Sequence, residues 1–381
     1  MSPVSSNAPH GQSPLRTVQV VGGGNASSSA HVRSLAAGLV ARGVRVTVCA
    51  PDEADRAYGF TGVGADHVHV PRSSDPASVA ALRAVCSQAH LVHAHGLHAS
   101  FRAMLALRGR PTPLVVTWHN RALEQGPRAH FLRLLERRVV KAATVVLGTT
   151  SDLVDRARRA GARDARLAAT ALPGPARGDT CPDHDDPEGR RAKLRAELGA
   201  TGRPLLLAVG SLDRHRGYEY LLDAAGSWRR LDPVPLIVVA GEGPLRATLQ
   251  RRIEDEELPV RLLGVRDDVH QLLTAADIAL VTSSWEPRSV FAQEALLARV
   301  PLVATAVGGI PDLVGEAAEL VPYGDPHALA AVVVRLLADP GRRELLRARG
   351  AAQAAGWPTE DETVAQVLSV YDELTEPASP L

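Results

Sequence analysis

Ser283-Ser284-Trp285-Glu286-Pro287-Arg288-Ser289-Val290-Phe291-Ala292-Gln293-Glu294-Ala295 follows the apolar run Ile278-Ala279-Leu280-Val281 and carries two carboxylates eight positions apart. The run reads as a strand and residues 290–298 as an apolar helix, with a polar turn between them. Glu286 then lies in the turn, and Glu294 lies about 12 Å further along an axis that rises about 1.5 Å per residue. The helix N-terminus between them has free N–H groups and the positive end of a dipole, which makes it a ready anion site. An anion clasped between two hydroxyl-binding carboxylates describes a nucleotide diphospho-sugar: hexose, pyrophosphate, ribose.

Working outward, β-branched runs alternate with longer Ala/Leu/Arg-rich stretches, the pattern of a parallel α/β sheet. Residues 17–21, 44–50, 91–94, 114–118 and 144–147 read as strands of one sheet. Residues 171–186 are rich in Pro, Gly and Asp and break the pattern. It resumes at 205–209, 236–240, 260–263, 278–281 and 302–304. Two Rossmann-like, doubly wound halves of similar size follow, and such sheets bind ligands at the C-terminal ends of their strands. The expected organisation is a disordered tail at 1–14, a first domain at 15–172, a linker at 173–202, a second domain at 203–356 and a final helical segment at 357–381.

Composition bounds the function classes. A chain of 381 residues suits two domains. A net charge of +1 gives no global field toward nucleic acid. Almost every cation is Arg, with Lys only at 141 and 193, which reads as GC-rich coding bias. Cys49, Cys86 and Cys181 fit neither a disulfide framework nor a zinc pattern, so a reducing compartment and no metal are expected. No apolar run is long enough for a membrane span, and the first dozen residues lack the plan of a signal peptide. A cytoplasmic location is expected. The basic stretch from Arg121 to Lys141 overlies Phe131, Leu132, Leu134, Leu135 and Val139 and suits either a membrane-surface helix or an anionic acceptor site. Glu124 and Glu136 dilute the charge and favour a packed helix with a solvated face.

Gly22-Gly23-Gly24-Asn25-Ala26-Ser27 ends the first strand and lets backbone approach a phosphate or sugar. Ser27 holds the place of the third glycine of a dinucleotide fingerprint, which disfavours an NAD enzyme even though Asp52 could serve as a ribose acid. In His93-Ala94-His95-Gly96-Leu97-His98 the histidines of the strand end alternate, and no carboxylate or thiol joins them. His93 and His98 read as structural, while His95 can line a cleft. His119, in Val115-Val116-Thr117-Trp118-His119, ends a strand where a neutral imidazole can donate to or accept from a sugar hydroxyl.

The spacing Glu286-x7-Glu294 resembles the signature of the retaining GT-B glycosyltransferases of family 4, of an actinobacterial kind. His31, Val32, Leu35, Ala36, Leu39, Arg42, Gly43, Val46, Thr47 and Val48 match the same family's first-domain pattern. Gly241-Glu242-Gly243-Pro244, residues 264–269, 301–312 and 321–326 extend the likeness over nearly the whole chain. The resemblance implies two domains facing a central cleft, with the last helix crossing back to the first domain. It implies an α-linked nucleotide-sugar donor, taken to be a UDP-sugar, with no metal and no cofactor. Glu294 would hold the ribose and Glu286 the hexose. Gly23, Gly24, Ser211, Arg216, Gly241, Val265, Arg266, Pro287, Arg288, Ser289 and Val290 would complete the donor site. His119, Glu286 and Arg216 would act in catalysis, and His31, His95 and His119 would face a small-molecule, glycan or lipid acceptor.

Two positions depart from the family pattern. Ser211 replaces an Arg of the pyrophosphate clamp, where Arg216 stands for the usual Lys and Arg214 can cover. Pro287 removes one N–H beside the phosphate, where the family has Gly-Phe-Gly. These motivate the alternative of a nucleotide-sugar-binding protein with little turnover.

Overall fold

The computed structural model describes residues 14–22, 26–121, 127–168, 171 and 186–375. Gly23, Gly24, Cys181, nearly all of the expected tail and residues 173–185 of the expected linker lie outside them. The chain divides into two compact units, Met1–Ala171 with Pro358–Leu381, and Leu172–Trp357.

Both units are doubly wound parallel α/β sheets, the fold class implied by the alternation. The first contains β1 (Arg16–Val21), β2 (Arg45–Ala50), β3 (Asp66–His69), β4 (Leu91–His95), β5 (Leu114–Trp118), β6 (Val145–Gly148) and β7 (Ala165–Leu167), in the order β3-β2-β1-β4-β5-β6-β7. The second contains β8 (Leu205–Val209), β9 (Leu236–Ala240), β10 (Val260–Gly264), β11 (Ile278–Val281), β12 (Leu302–Thr305) and β13 (Ala318–Val321), in the order β10-β9-β8-β11-β12-β13. The order of strand addition reverses between β1 and β4, and again between β8 and β11, while the strands stay parallel. Those two switch points open crevices beyond the strand ends.

Central strands are legible because both faces are covered, so every residue of β4, β5, β9 and β11 is buried and most are apolar. The three strands absent from the sequence reading, β3, β7 and β13, all lie at sheet edges. An edge strand covers less apolar surface, and Asp66-His67-Val68-His69 has one aliphatic residue in four.

The helix Glu360–Thr375 starts with a capping box. Glu362 N–H donates to Thr359 Oγ1 at 3.2 Å while Thr359 N–H donates to Glu362 Oε2 at 2.8 Å. Its Val364, Val367, Val370 and Tyr371 enter the core of the first unit beside Val21, Val32, Leu35 and Leu39. Each buried valine stabilises by roughly 1.5–3 kcal/mol. The Arg42–Asp361 ion pair at 2.6 Å, with Asp361 83% exposed, adds at most about 1 kcal/mol. Apolar burial therefore fixes this helix on its sheet. In the helix Pro127–Ala142, Leu132, Leu135 and Val139 face inward as the amphipathic reading requires. Phe131 and Leu134 do not: both are exposed, among Arg133, Arg137, Arg138 and Lys141.

Candidate active site

In the second unit the site forms where β8 and β11 end side by side. Beyond β8, Asp213 accepts from His215 N–H at 2.8 Å and from Ser211 Oγ at 2.6 Å, which winds the short turn Arg214–Arg216. The Ser211 hydroxyl is thus engaged within the loop. Gly217 follows with φ +67°, and a Cβ there would lie 2.1 Å from the carbonyl oxygen of Thr282. Only glycine lets this turn pass so close to the end of β11. Thr282 Oγ1 donates to Arg216 O at 2.9 Å and ties the two loops together.

The Arg216 guanidinium thereby reaches Glu286 and pairs with its Oε1, an oxygen that also accepts from Ser283 Oγ at 2.8 Å. Glu286 is 7% exposed, so the guanidinium supplies its counter-charge where water is scarce. Its backbone is fixed too, since Gly309 N–H donates to Glu286 O at 2.8 Å. Arg216, Glu286 and Ser289 line one small crevice with Val209, Tyr218, Thr282 and Ser283. Ser289 caps the helix Val290–Leu297 by accepting from Ala292 N–H at 3.2 Å. Arg288 lies in the same turn, and burial lowers its guanidinium pKa while Asp312 opposes the shift. Burial raises the Glu294 carboxyl above its ordinary range, with His270 acting the other way.

Val265 and Arg266 follow β10, separated from β8 by β9. Val265 is 76% exposed. Arg266 Nε donates to Asp268 Oδ1 at 2.7 Å, and for that reason Asp268 does not cap the helix Val269–Ala275, as a plain strand-to-helix turn would have it. Gly241 N–H donates to Gly264 O at 2.7 Å, joining the ends of β9 and β10.

In the first unit the corresponding switch point gathers histidines that the sequence scatters. His95 ends β4, His119 follows β5, and His31 sits on the helix Ala26–Ala41. His119 lies 5.2 Å from His31 and 5.5 Å from His95 between ring centroids. His95 Nδ1 is 3.2 Å from His119 Nε2, and His95 Nε2 is 2.9 Å from Gln19 Oε1. His93 packs against His95, with ring centroids 4.2 Å apart, and contacts Tyr371 Oη and Thr117 Oγ1, each at 2.6 Å. A ring nitrogen from each of His31, His95 and His119 lies within 4.8 Å of the others. That grouping differs from the run His93–His98 weighed from sequence. Among the described residues, only His95 of the three has a side-chain acceptor on a second ring nitrogen, as metal-bound imidazoles do. The hydrogen bond accounts for the spacing of His95 and His119.

Burial lowers the pKa of all four rings: His31 to about 4, His93 to about 3, and His95 and His119 well below 6.5. They are neutral at pH 7 in the folded chain. Below pH 6.5 the unfolded chain takes up protons that the folded one refuses. Stability of the first unit is therefore expected to be full above pH 6.5 and to fall between 6.5 and about 4. Denaturant titrations at pH 7.5 and 5 check this, and equal midpoints would contradict it.

Gln19, Thr117 and Tyr371 were missed from sequence. Gln19 did carry a signal, an amide inside the apolar strand Thr17-Val18-Gln19-Val20-Val21. Tyr371 carried none, because its partners lie hundreds of residues away.

Two family profiles match the chain. One, described as glycosyl transferases group 1, spans residues 190–353. The other, described as a glycosyl transferase 4-like domain, spans residues 28–173. An alpha-D-kanosaminyltransferase of Streptomyces kanamyceticus is 32% identical over 302 residues, 74% of this chain and 77% of that one. A D-inositol 3-phosphate glycosyltransferase of Salinispora tropica is 32% identical over 309 residues, 74% of this chain and 64% of its own. Among solved structures, Anabaena HepE in complex with UDP superposes with a TM-score of 0.76 at 18% identity, covering 95% of this chain and 100% of that one.

Proposed function

The chain belongs to the GT-B glycosyltransferases of the group 1, family 4-like kind, and from that premise we propose that it is a retaining, metal-independent hexosyltransferase using a UDP-sugar. Transfer of a glycosyl group from a nucleotide-sugar is the family's activity. The observation that carries the finer reading is the Arg216–Glu286 pair held against the capped N-terminus of Val290–Leu297. When the donor arrives, Arg216 exchanges its carboxylate partner for the diphosphate. Glu286 is then free to accept from hexose hydroxyls, while the helix-end N–H groups and Arg288 face the leaving charge. Glu294 takes the ribose hydroxyls. Gly241, Val265 and Arg266 border the base. Ser211 contributes no guanidinium to the phosphate, and Pro287 no N–H.

Among the described residues no carboxylate is placed as a nucleophile, and the family resemblance implies that the acceptor hydroxyl attacks on the face the diphosphate leaves. His119 touches the donor hexose and, with His31 and His95, borders the acceptor. D-inositol 3-phosphate, named for one relative, is the first acceptor to assay. Exposed Phe131 and Leu134 beside their basic neighbours suit contact with a membrane surface if the acceptor is a lipid. The product from a UDP-α-hexose is expected by NMR to keep the α-anomer, with the rate unchanged by EDTA. A β-linked product removes the mechanism, and an EDTA-sensitive rate restored by zinc removes metal independence. Ser211 and Pro287 favour a second reading, donor binding with little turnover, and measurable UDP-hexose hydrolysis without acceptor rules that out.

A further inference from the structure

Six buried polar groups in the first unit form one unbroken series of contacts, and their donors and acceptors can be assigned only together. Gln19 Oε1 is an acceptor and lies 2.9 Å from His95 Nε2, so that nitrogen carries the proton. A neutral imidazole has one N–H, so His95 Nδ1 accepts, and the donor at 3.2 Å is His119 Nε2–H. On the other side of the amide, Gln19 Nε2–H donates to Tyr371 Oη at 2.9 Å. Tyr371 then passes its own proton to His93 Nδ1 at 2.6 Å, which leaves His93 Nε2–H to donate to Thr117 Oγ1 at 2.6 Å. Every link has one donor and one acceptor, and no ring needs a charge. Gln19, His93 and Tyr371 have no exposed surface, so water does not compete for these links.

We infer that Tyr371, on the terminal helix, is a positioning residue that locks His119 as the Nε2–H tautomer, leaving Nδ1 as its one hydrogen-bond acceptor. The amide of Gln19 is the pivot, since turning it over would reverse every link. With the amide as it stands, Tyr371 accepts from Gln19 Nε2–H and donates to His93, and so carries the orientation of the amide to the second histidine. Among the described residues no other hydrogen bond reaches His119 Nδ1. A substrate hydroxyl that meets His119 must therefore donate to it, which selects a sugar hydroxyl and rejects a carbonyl or phosphate oxygen. For the donor hexose this rests on the reading under Proposed function. The tautomer itself does not.

The test uses the full chain labelled with 15N-histidine, at pH 7.5 and without substrate. Long-range proton–nitrogen correlations assign a tautomer to each buried ring, with His95→Asn and His119→Asn variants identifying the signals. The expected spectrum has His93, His95 and His119 all as Nε2–H. A proton on His119 Nδ1 overturns the inference, whether the chain runs in reverse or an ion sits between the rings. In Tyr371→Phe the ring stays and the hydroxyl goes, so His119 should shift toward a mixture of tautomers. With it, kcat should fall about tenfold, the scale of a misprotonated positioned group, while KM for donor changes little. An unaltered His119 spectrum in a folded Tyr371→Phe, or in Gln19→Leu if the first variant does not fold, also overturns it. An expected spectrum without transferase activity would leave the lock standing and remove the functional reading instead.

Discussion

Arg216→Ala is expected to lower kcat/KM by about 10²–10³-fold, as does loss of other preorganised groups facing a developing oxyanion. Two effects combine. The diphosphate loses a bidentate cation at a site where Ser211 already supplies no guanidinium. Glu286, 7% exposed, loses the partner that neutralises it. Stranding a buried charge costs about 3–5 kcal/mol, and the low end applies because the Arg216 side chain is 34% exposed. The two effects separate in a double variant. Arg216→Ala with Glu286→Gln should recover most of the lost melting temperature and none of the activity. Arg216→Lys should stand between, since an ammonium keeps the charge and gives up the fork. Steady-state kinetics with calorimetric UDP binding decide the matter. Donor affinity and kcat within twofold of the parent in Arg216→Ala would remove Arg216 from the site.

Gly308→Ala should be among the most damaging methyl groups in the second unit. Gly308 has φ +56°, and a Cβ there would lie 2.0 Å from the carbonyl oxygen of Glu286 and 2.9 Å from Trp285 Nε1. The left-handed conformation alone costs alanine about 1–2 kcal/mol. The clash adds to it, because a backbone oxygen already bonded to Gly309 N–H cannot step aside unless the turn carrying Glu286 moves. A loss of about 3 kcal/mol or more is expected, a fall in melting temperature of roughly 6–12 °C for a unit of this size. Gly324 is the control: its φ is +83° and nothing lies within 4 Å of its added Cβ. Gly324→Ala should show the backbone cost without the clash. UDP affinity should fall in Gly308→Ala and hold in Gly324→Ala, and equal losses in the two would remove the steric argument.

Both predictions concern a place where the sequence was partly legible. Glu286 stood out because it and Glu294 flank a helix N-terminus eight positions apart, and Arg216 because it stands where the resembled family has Lys. Ser289 was recognisable as a cap from its place before an apolar helix. The pairing of Arg216 with Glu286 was not legible, since β8 and β11 are distant in sequence and neighbours only in the sheet. The glycines that allow their loops to touch looked like ordinary turn residues. His31, His95 and His119 were each identified singly, while the series through Gln19 and Tyr371 depends on a helix at the other end of the sequence.

What the sequence determined by itself is whatever depends on local period and local chemistry. Alternating apolar strands and helices specify two doubly wound sheets, because parallel strands covered on both faces must be continuously apolar. Residues at strand ends specify where ligands bind, because that is where the backbone leaves polar groups open. Tertiary structure decided the partners and protonation of those residues. Tyr371 meets His93 only because Val364, Val367 and Val370 bury the terminal helix against the first sheet. Burial pushes the His119 pKa well below 6.5, and the neighbouring His31 and His93 add to the shift. Burial and hydrogen-bond direction are properties of neighbours brought together by the fold, and distance along the chain does not encode them.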